Sequence, residues 1–271
     1  MTQFASLVKE MNGAVVKPIK QKEFTSKQSR FKHLPEAGRS NGLLIAPSFV
    51  GKTTWLQSWL LDWYRGLYAR IYVFSPNALT DEWKPIREYC SKQLGVDLEK
   101  EQCFFEDMDE AALNQIIDTQ FAVVAELKRQ NHTSMYQVCV ILDDLASEPK
   151  FHKNYGPLSV LFTRGRHAWI QTICSSQKWK LISPTARVNA HWIACFRLRN
   201  KQDLEAFLSE LTAIYPYEVL LEMYEKAVGD QPYSFLFVDL KAQPPRFMVR
   251  FEQNMVPSGS GTRALSDRDA L

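Results

Sequence analysis

The run Ala46-Pro47-Ser48-Phe49-Val50-Gly51-Lys52-Thr53-Thr54 sets a glycine, a lysine and two hydroxyls in succession just before an apolar-rich stretch that reads as a helix. That order suits the capture of a phosphate chain. Backbone N–H groups of the loop and helix N-terminus point at the oxygens, and the helix dipole favours their charge. Lys52 would reach the β- and γ-phosphates, and the Thr53 hydroxyl would ligate Mg²⁺. The whole stretch from Ala46 to Thr54 is the candidate nucleotide-binding loop. It departs from G-x-x-x-x-G-K-[ST] at its first position, where Ala46 replaces glycine. Alanine fits there if φ stays negative. Phe49 and Val50 are bulkier than the small residues usual in such loops.

A second run, Val138-Cys139-Val140-Ile141-Leu142, ends in Asp143-Asp144. Five apolar residues suit a strand buried on both faces of a parallel sheet, and open α/β sheets place ligands at the C-terminal ends of their strands. Asp143 would hold the Mg²⁺ shell, and Asp144 would orient or deprotonate an attacking water. The alternative is a plain surface turn. Farther on, Trp169–Cys174 reads as a strand ending in Ser175-Ser176-Gln177. At the tip of a strand beside the loop, Gln177 would sense the γ-phosphate or position the water. Arg164 and Arg166 precede that strand and Arg187 follows it; Arg166 and Arg187 are candidate arginine fingers. Structural ion pairs or phosphate contacts to DNA are the competing roles. Together these residues imply binding and hydrolysis of a nucleoside triphosphate, with ATP and Mg²⁺ as cofactors.

The elements that must position these groups alternate. Strands are predicted over Asn41–Ile45, Arg70–Phe74, the run ending at Asp143, Trp169–Cys174 and Trp192–Leu198. Helices are predicted from Lys52 to about Arg65, after a Thr80 cap, within Glu106–Arg129, over Gly156–Thr163, Gln202–Leu211 and Tyr217–Ala227. Tyr233–Asp239 and Phe247–Phe251 read as late strands, an edge hairpin around Pro244-Pro245. Trp55, Trp59 and Trp63 recur every fourth residue, the pattern of a core-facing helix stripe. Such alternation predicts an α/β fold, a mainly parallel central sheet flanked by helices; with the phosphate loop after its first strand, it reads as a P-loop NTPase of the RecA-like type.

Composition sets bounds. The chain has 271 residues, 45% apolar and 23% charged, the usage of a globular protein with a sizeable core. No apolar run approaches the length of a membrane span, and MTQFASLVKEMNG lacks a signal-peptide core. Five cysteines without C-x-x-C spacing predict reduced thiols and an intracellular setting, and the five histidines show no ligand pairing. Residues 1–40 carry eight Lys/Arg against three Glu, a balance of +5 in a chain of net +3. This segment reads as a basic, flexible extension ahead of an ATPase domain at 41–255. A Gly/Ser-rich tail at 256–271 reads as disordered. The loop Lys150–Tyr155 (KFHKNY) has the two lysines and two aromatics of a DNA-contacting pore loop, or is simply a basic surface loop.

The segments SPNALTDEW, ILDDL, TRGRH, the glutamine after the next strand, and ARVNAHWIACFRLRN resemble the DNA-packaging ATPases of poxviruses and other large DNA viruses. Related genes occur in virophages and Polinton-type elements, within the FtsK–HerA superfamily of P-loop motors. The resemblance spans roughly Asn41 to Leu211. It implies a homo-oligomeric ring, a pentamer or hexamer, that drives double-stranded DNA into a capsid and meets capsid or portal-vertex proteins. The protein would then be virion-associated, or in the host cytoplasm or virus factory. It also implies that Lys52 and Thr53 stand at the Walker A positions, Asp143 and Asp144 at Walker B, and Gln177 at the sensor. Another DNA-dependent translocase or helicase-like ATPase, or a nucleotide-binding assembly scaffold, remains the alternative.

Overall fold

The computed structural model describes residues 22–145 and 156–256. In chain order, β1 (Gly42–Ile45) and α1 (Lys52–Ser58) are followed by β2 (Arg70–Phe74), α2 (Lys84–Lys92), β3 (Phe104–Phe105) and α3 (Glu110–Arg129). Then come β4 (Val138–Asp143), α4 (Pro157–Arg164), β5 (Ile170–Ser176), α5 (Pro184–Val188) and β6 (Trp192–Phe196). The chain continues with α6 (Lys201–Glu210), α7 (Tyr217–Gly229), β7 (Phe235–Asp239), β8 (Arg246–Val249) and β9 (Gln253–Met255).

The nine strands form one sheet in the order β3-β2-β4-β5-β1-β6-β7-β8-β9. From β3 to β6 the neighbours are parallel; β7, β8 and β9 add antiparallel pairs. Strand β5 lies between β1 and β4, pairing Leu43 with Cys174 and Asp143 with Ser175. The C-terminal tips of β1, β4 and β5 therefore stand side by side. Every residue of these three strands is buried, because helices cover both faces. Leu43, Ile45, Val140 and Leu142 pack with α3, α4, α6 and α7 on one side; Leu44, Cys139 and Ile141 pack under α1 and α2 on the other.

The tryptophan stripe is core, as its spacing predicts. Trp59 is fully buried, stacked on Tyr64 at 4.1 Å and on Trp192 at 4.8 Å. Aromatic pairs of this kind add roughly 0.5–1.5 kcal/mol beyond burial. The predicted helix to Arg65 ends differently: Trp59–Trp63 winds as a π-turn, with Tyr64 N donating to Trp59 O at 2.9 Å. Gly42 is required where it stands, since a Cβ there would lie 1.9 Å from Trp192 Cε2.

Other boundaries differ for local reasons. Thr80 does not cap a helix; its hydroxyl donates to Asn77 O at 2.8 Å, and a 3₁₀ turn at Asp81–Trp83 precedes α2. Asp109 instead caps α3, accepting from Ala112 N at 2.9 Å. Trp169 stands outside β5 with φ 59°. The late hairpin forms between β7 and β8, but β9 then takes the edge.

Residues 22–40, read from the sequence as part of a loose extension, are tied to the domain. Thr25 N donates to Thr133 O at 2.8 Å, Tyr64 Oη to Pro35 O at 2.6 Å, and Ser29 Oγ to Trp63 O at 2.7 Å. Ala37 is fully buried. The residues before 22, the loop Lys150–Tyr155 and the tail beyond Val256 lie outside the described residues. Among the described residues no helix is long and apolar enough to cross a membrane.

Candidate active site

The loop after β1 turns back through two left-handed residues, Phe49 (φ 66°) and Gly51 (φ 87°), before α1 begins at Lys52. Ala46 keeps a negative φ, and its N–H donates to Ser176 O at 3.0 Å. The first glycine of the pattern is therefore dispensable here, because residue 46 only extends the β1–β5 ladder. The unusual demand falls on Phe49, which holds a conformation that bulky side chains rarely adopt.

Lys52 is buried at the start of α1, and its Nζ lies 3.2 Å from Asp143 Oδ1 and in contact with Asp144 Oδ2. Asp143, at the tip of β4, is buried and held from both sides. Ser75 Oγ, beyond β2, donates to its Oδ2 at 3.2 Å, and Ser175 Oγ of β5 donates to its Oδ1. Asp144 follows with φ 54°, so the second carboxylate leaves the strand in a new direction. Gln177 Nε2 donates to Asp144 Oδ2 at 3.3 Å, while Gln177 Oε1 accepts from Ser48 Oγ at 3.2 Å. One amide thus joins the loop to the second carboxylate. The five residues Ser48, Lys52, Asp143, Asp144 and Gln177 meet at the ends of three strands.

The donor set fits a magnesium triphosphate. Mg²⁺ takes one or two carboxylates and completes its octahedron with phosphate oxygens and water, not with an all-protein cage. Asp143 supplies such a carboxylate beside Lys52, and Thr53 follows as the second residue of α1. Among the described residues no three His, Cys, Asp or Glu side chains gather in a metal-holding group. The buried Lys52 ammonium supplies the matching positive charge, close to both carboxylates.

The candidate arginines are not in this cluster. Arg187 is committed within the chain: its guanidinium lies 3.0 Å from Glu210 Oε1, donates to Ile182 O at 2.8 Å and sits 5.6 Å from the Trp179 ring centre. Arg164 stacks on Phe121 at 5.4 Å. Arg166 is exposed on the 3₁₀ turn before β5, at the opposite end of the strand from Gln177. There it lines an open cleft of about 550 Å³ with Lys22, Phe24, Arg39, Lys128 and Trp169. Arg39 stacks on Trp169 and Lys128 on Phe24, each at 5.0 Å. A catalytic role for Arg166 requires a neighbouring subunit's site.

Arg199 and Ser75 were not singled out from the sequence. Arg199 Nη2 donates to Ser48 O at 3.0 Å, fastening the loop from the end of β6. The signal for it is position: it follows the strand that pairs with β1, so it emerges at the same end of the sheet. Ser75 follows β2, the other neighbour of β4, by the same logic. Thiol chemistry has no support: burial pushes Cys90 and Cys103 up to about 12 and the remaining cysteines higher still. His191 is structural, its Nδ1 accepting from Asn41 N at 2.9 Å.

An inserted strand between the phosphate-loop strand and the double-aspartate strand, with these residues at their tips, defines the P-loop NTPase fold. Solved structures agree. The genome packaging NTPase B204 from Sulfolobus turreted icosahedral virus 2, in complex with AMP, superposes with a TM-score of 0.51 at 15% identity, over 78% of this chain and 96% of that one. Its complex with AMPPCP gives 0.50 at 15% identity, over 78% and 97%. The pCW3 conjugation coupling protein TcpA, monomer form with ATPγS, gives 0.50 at 16% identity, over 75% of this chain and 58% of that one. No protein-family model matches the chain, and no curated protein matches it in sequence.

Proposed function

We propose that this protein is an ATP-hydrolysing motor that moves double-stranded DNA into a viral capsid. The observation that carries the reading is the convergence of Lys52, Asp143, Asp144 and Gln177 at the tips of β1, β4 and β5. The fold shared with a genome packaging NTPase supports the packaging role. Bound magnesium would supply Lewis-acid relief of the charge that develops on the phosphates. Asp143 would hold it together with Thr53, the backbone N–H groups of Gly51–Thr54 would cradle the phosphate oxygens, and Lys52 would neutralise them. Asp144 takes the proton of the attacking water. Its Oδ2 is engaged by Gln177 and Lys52, which leaves Oδ1 for that task. Gln177 links hydrolysis to the loop through Ser48.

The motor acts as a homo-oligomeric ring, a pentamer or hexamer, gripping DNA phosphates without reading sequence and docking on capsid or portal-vertex proteins. That role places it with the virion or the virus factory. Arg166 faces a neighbour's nucleotide or the DNA. A conjugation-type translocase is the second reading, favoured by the likeness to TcpA at a similar TM-score. Steady-state ATP hydrolysis with and without linear double-stranded DNA tests the proposal. DNA-stimulated turnover, strongly reduced in Asp144→Asn, is the expected result; ATP binding without turnover in the unaltered protein would leave a nucleotide-binding scaffold. Packaging into purified capsids separates the two translocase readings.

A further inference from the structure

The loop carries a feature that phosphate chemistry does not use. Phe49 is 96% exposed and Tyr233, in the turn before β7, is 69% exposed. Both hold left-handed backbone, φ 66° and 63°. A solvent-facing ring gains nothing from burial, and a bulky residue in that conformation is an outlier. Two such rings flank the same opening. The Tyr233 ring lies over the loop itself, since a Cβ on Gly51 would sit 3.2 Å from its Cδ1. Phe49 and Tyr233 both line a cleft of about 560 Å³, together with Trp55, Trp63, Thr54 and Ser58.

Sheet order says what should enter it. The groups that handle the terminal phosphate lie on the β4–β5 side of β1. A triphosphate anchored on Gly51–Thr53 therefore directs its sugar and base the other way, along the Thr54–Ser58 edge of α1 toward β6 and β7. The cleft is there, reaching Phe196 at the end of β6 and Tyr233 ahead of β7. We propose that Phe49 and Tyr233 are the two walls of a nucleobase subsite, gripping the base through its faces. This rests on the reading of the chain as a nucleoside triphosphatase. Among the described residues the lining carries hydroxyls but no amide or charged side chain, so the base is held mainly through its faces. It also accounts for Phe49 in a position where small residues are usual: its ring replaces backbone freedom with a stacking platform.

The test compares the affinities of ATP and inorganic tripolyphosphate, with Mg²⁺, for the full chain and its variants. Phe49→Ala and Tyr233→Ala should each weaken ATP about tenfold, the loss typical of one stacked base, and leave tripolyphosphate unchanged. Phe49→Trp should restore ATP binding. Lys52→Ala should weaken both ligands. If neither aromatic variant alters ATP affinity while Lys52→Ala weakens both ligands, the base subsite is wrong and the triphosphatase reading stands. Equal losses for ATP and tripolyphosphate in the aromatic variants overturn it too, because the rings would then serve the loop alone. A wild-type protein that binds neither ligand overturns both readings.

Discussion

At the C-terminal ends of β1, β4 and β5 the charges are largely buried and of both signs; at the N-terminal end of β5 they are exposed and dominated by one sign. Lys52 sits among Asp143 and Asp144, and hydroxyls and an amide occupy the carboxylate oxygens. Lys22, Arg39, Lys128 and Arg166 instead surround the opposite cleft, with aromatic rings between them. Buried charges stay ionised only when compensated on the spot, and removing one partner strands the other. Exposed like charges are held apart by water and are relieved by an incoming anion. The first arrangement is built for chemistry on a bound group. The second suits a polyanion or a neighbour's acidic surface.

The sharpest break of this contrast is Lys52→Ala, which should abolish ATP hydrolysis. Measured turnover above background would mean that the buried cluster does not hold the triphosphate. Next is Asp144→Asn, which keeps the shape and removes the base. Turnover should fall roughly 10²–10⁴-fold with ATP affinity retained. A variant that loses binding as well would make Asp144 a ligand-holding group.

How much of that contrast is legible without coordinates depends on the kind of signal. The three strands that carry the buried cluster are short apolar runs closed by polar residues, and both features are local. Their order in the sheet is not local, yet it alone brings Gln177 to Asp144. Trp169 reads as strand from its aromatic character but turns left-handed before β5. The π-turn at Trp59–Trp63 packs its Trp59 on Trp192, a residue more than a hundred positions away that helix periodicity does not take into account. The segment 22–40 looks solvated because its anchors are backbone groups and single residues such as Ala37 and Tyr64. Arg199 looks like one more surface cation until β6 is placed beside β1. Chemistry was legible where one strand end carries it, and partly hidden where two distant segments share it.

At the basic end, Arg166→Ala should leave isolated-subunit ATP binding unchanged. If Arg166 serves a neighbour's site, mixed rings should lose activity beyond simple dilution; a strictly proportional loss removes it from that role. If it contacts DNA, the slope of log affinity against log salt should fall by about 1.

The smallest effect concerns His167, beside Arg166. Desolvation, then the charges of Arg166, Arg39, Lys128 and Arg164, hold its pKa below the ordinary value. The unfolded chain therefore takes up this proton first. Stability from this site is present above an unfolded value of about 6.5 and is lost as pH falls through it toward the lower folded value. Thermal unfolding of His167→Gln should accordingly lose less than wild type between neutral and mildly acidic pH. Arg166→Ala should move the imidazole midpoint upward in an NMR titration. Double-stranded DNA at low salt should move it upward too, because phosphates docked in the cleft replace repulsion with attraction. A midpoint indifferent to saturating DNA would place the DNA on another surface and leave this cleft to a neighbouring subunit.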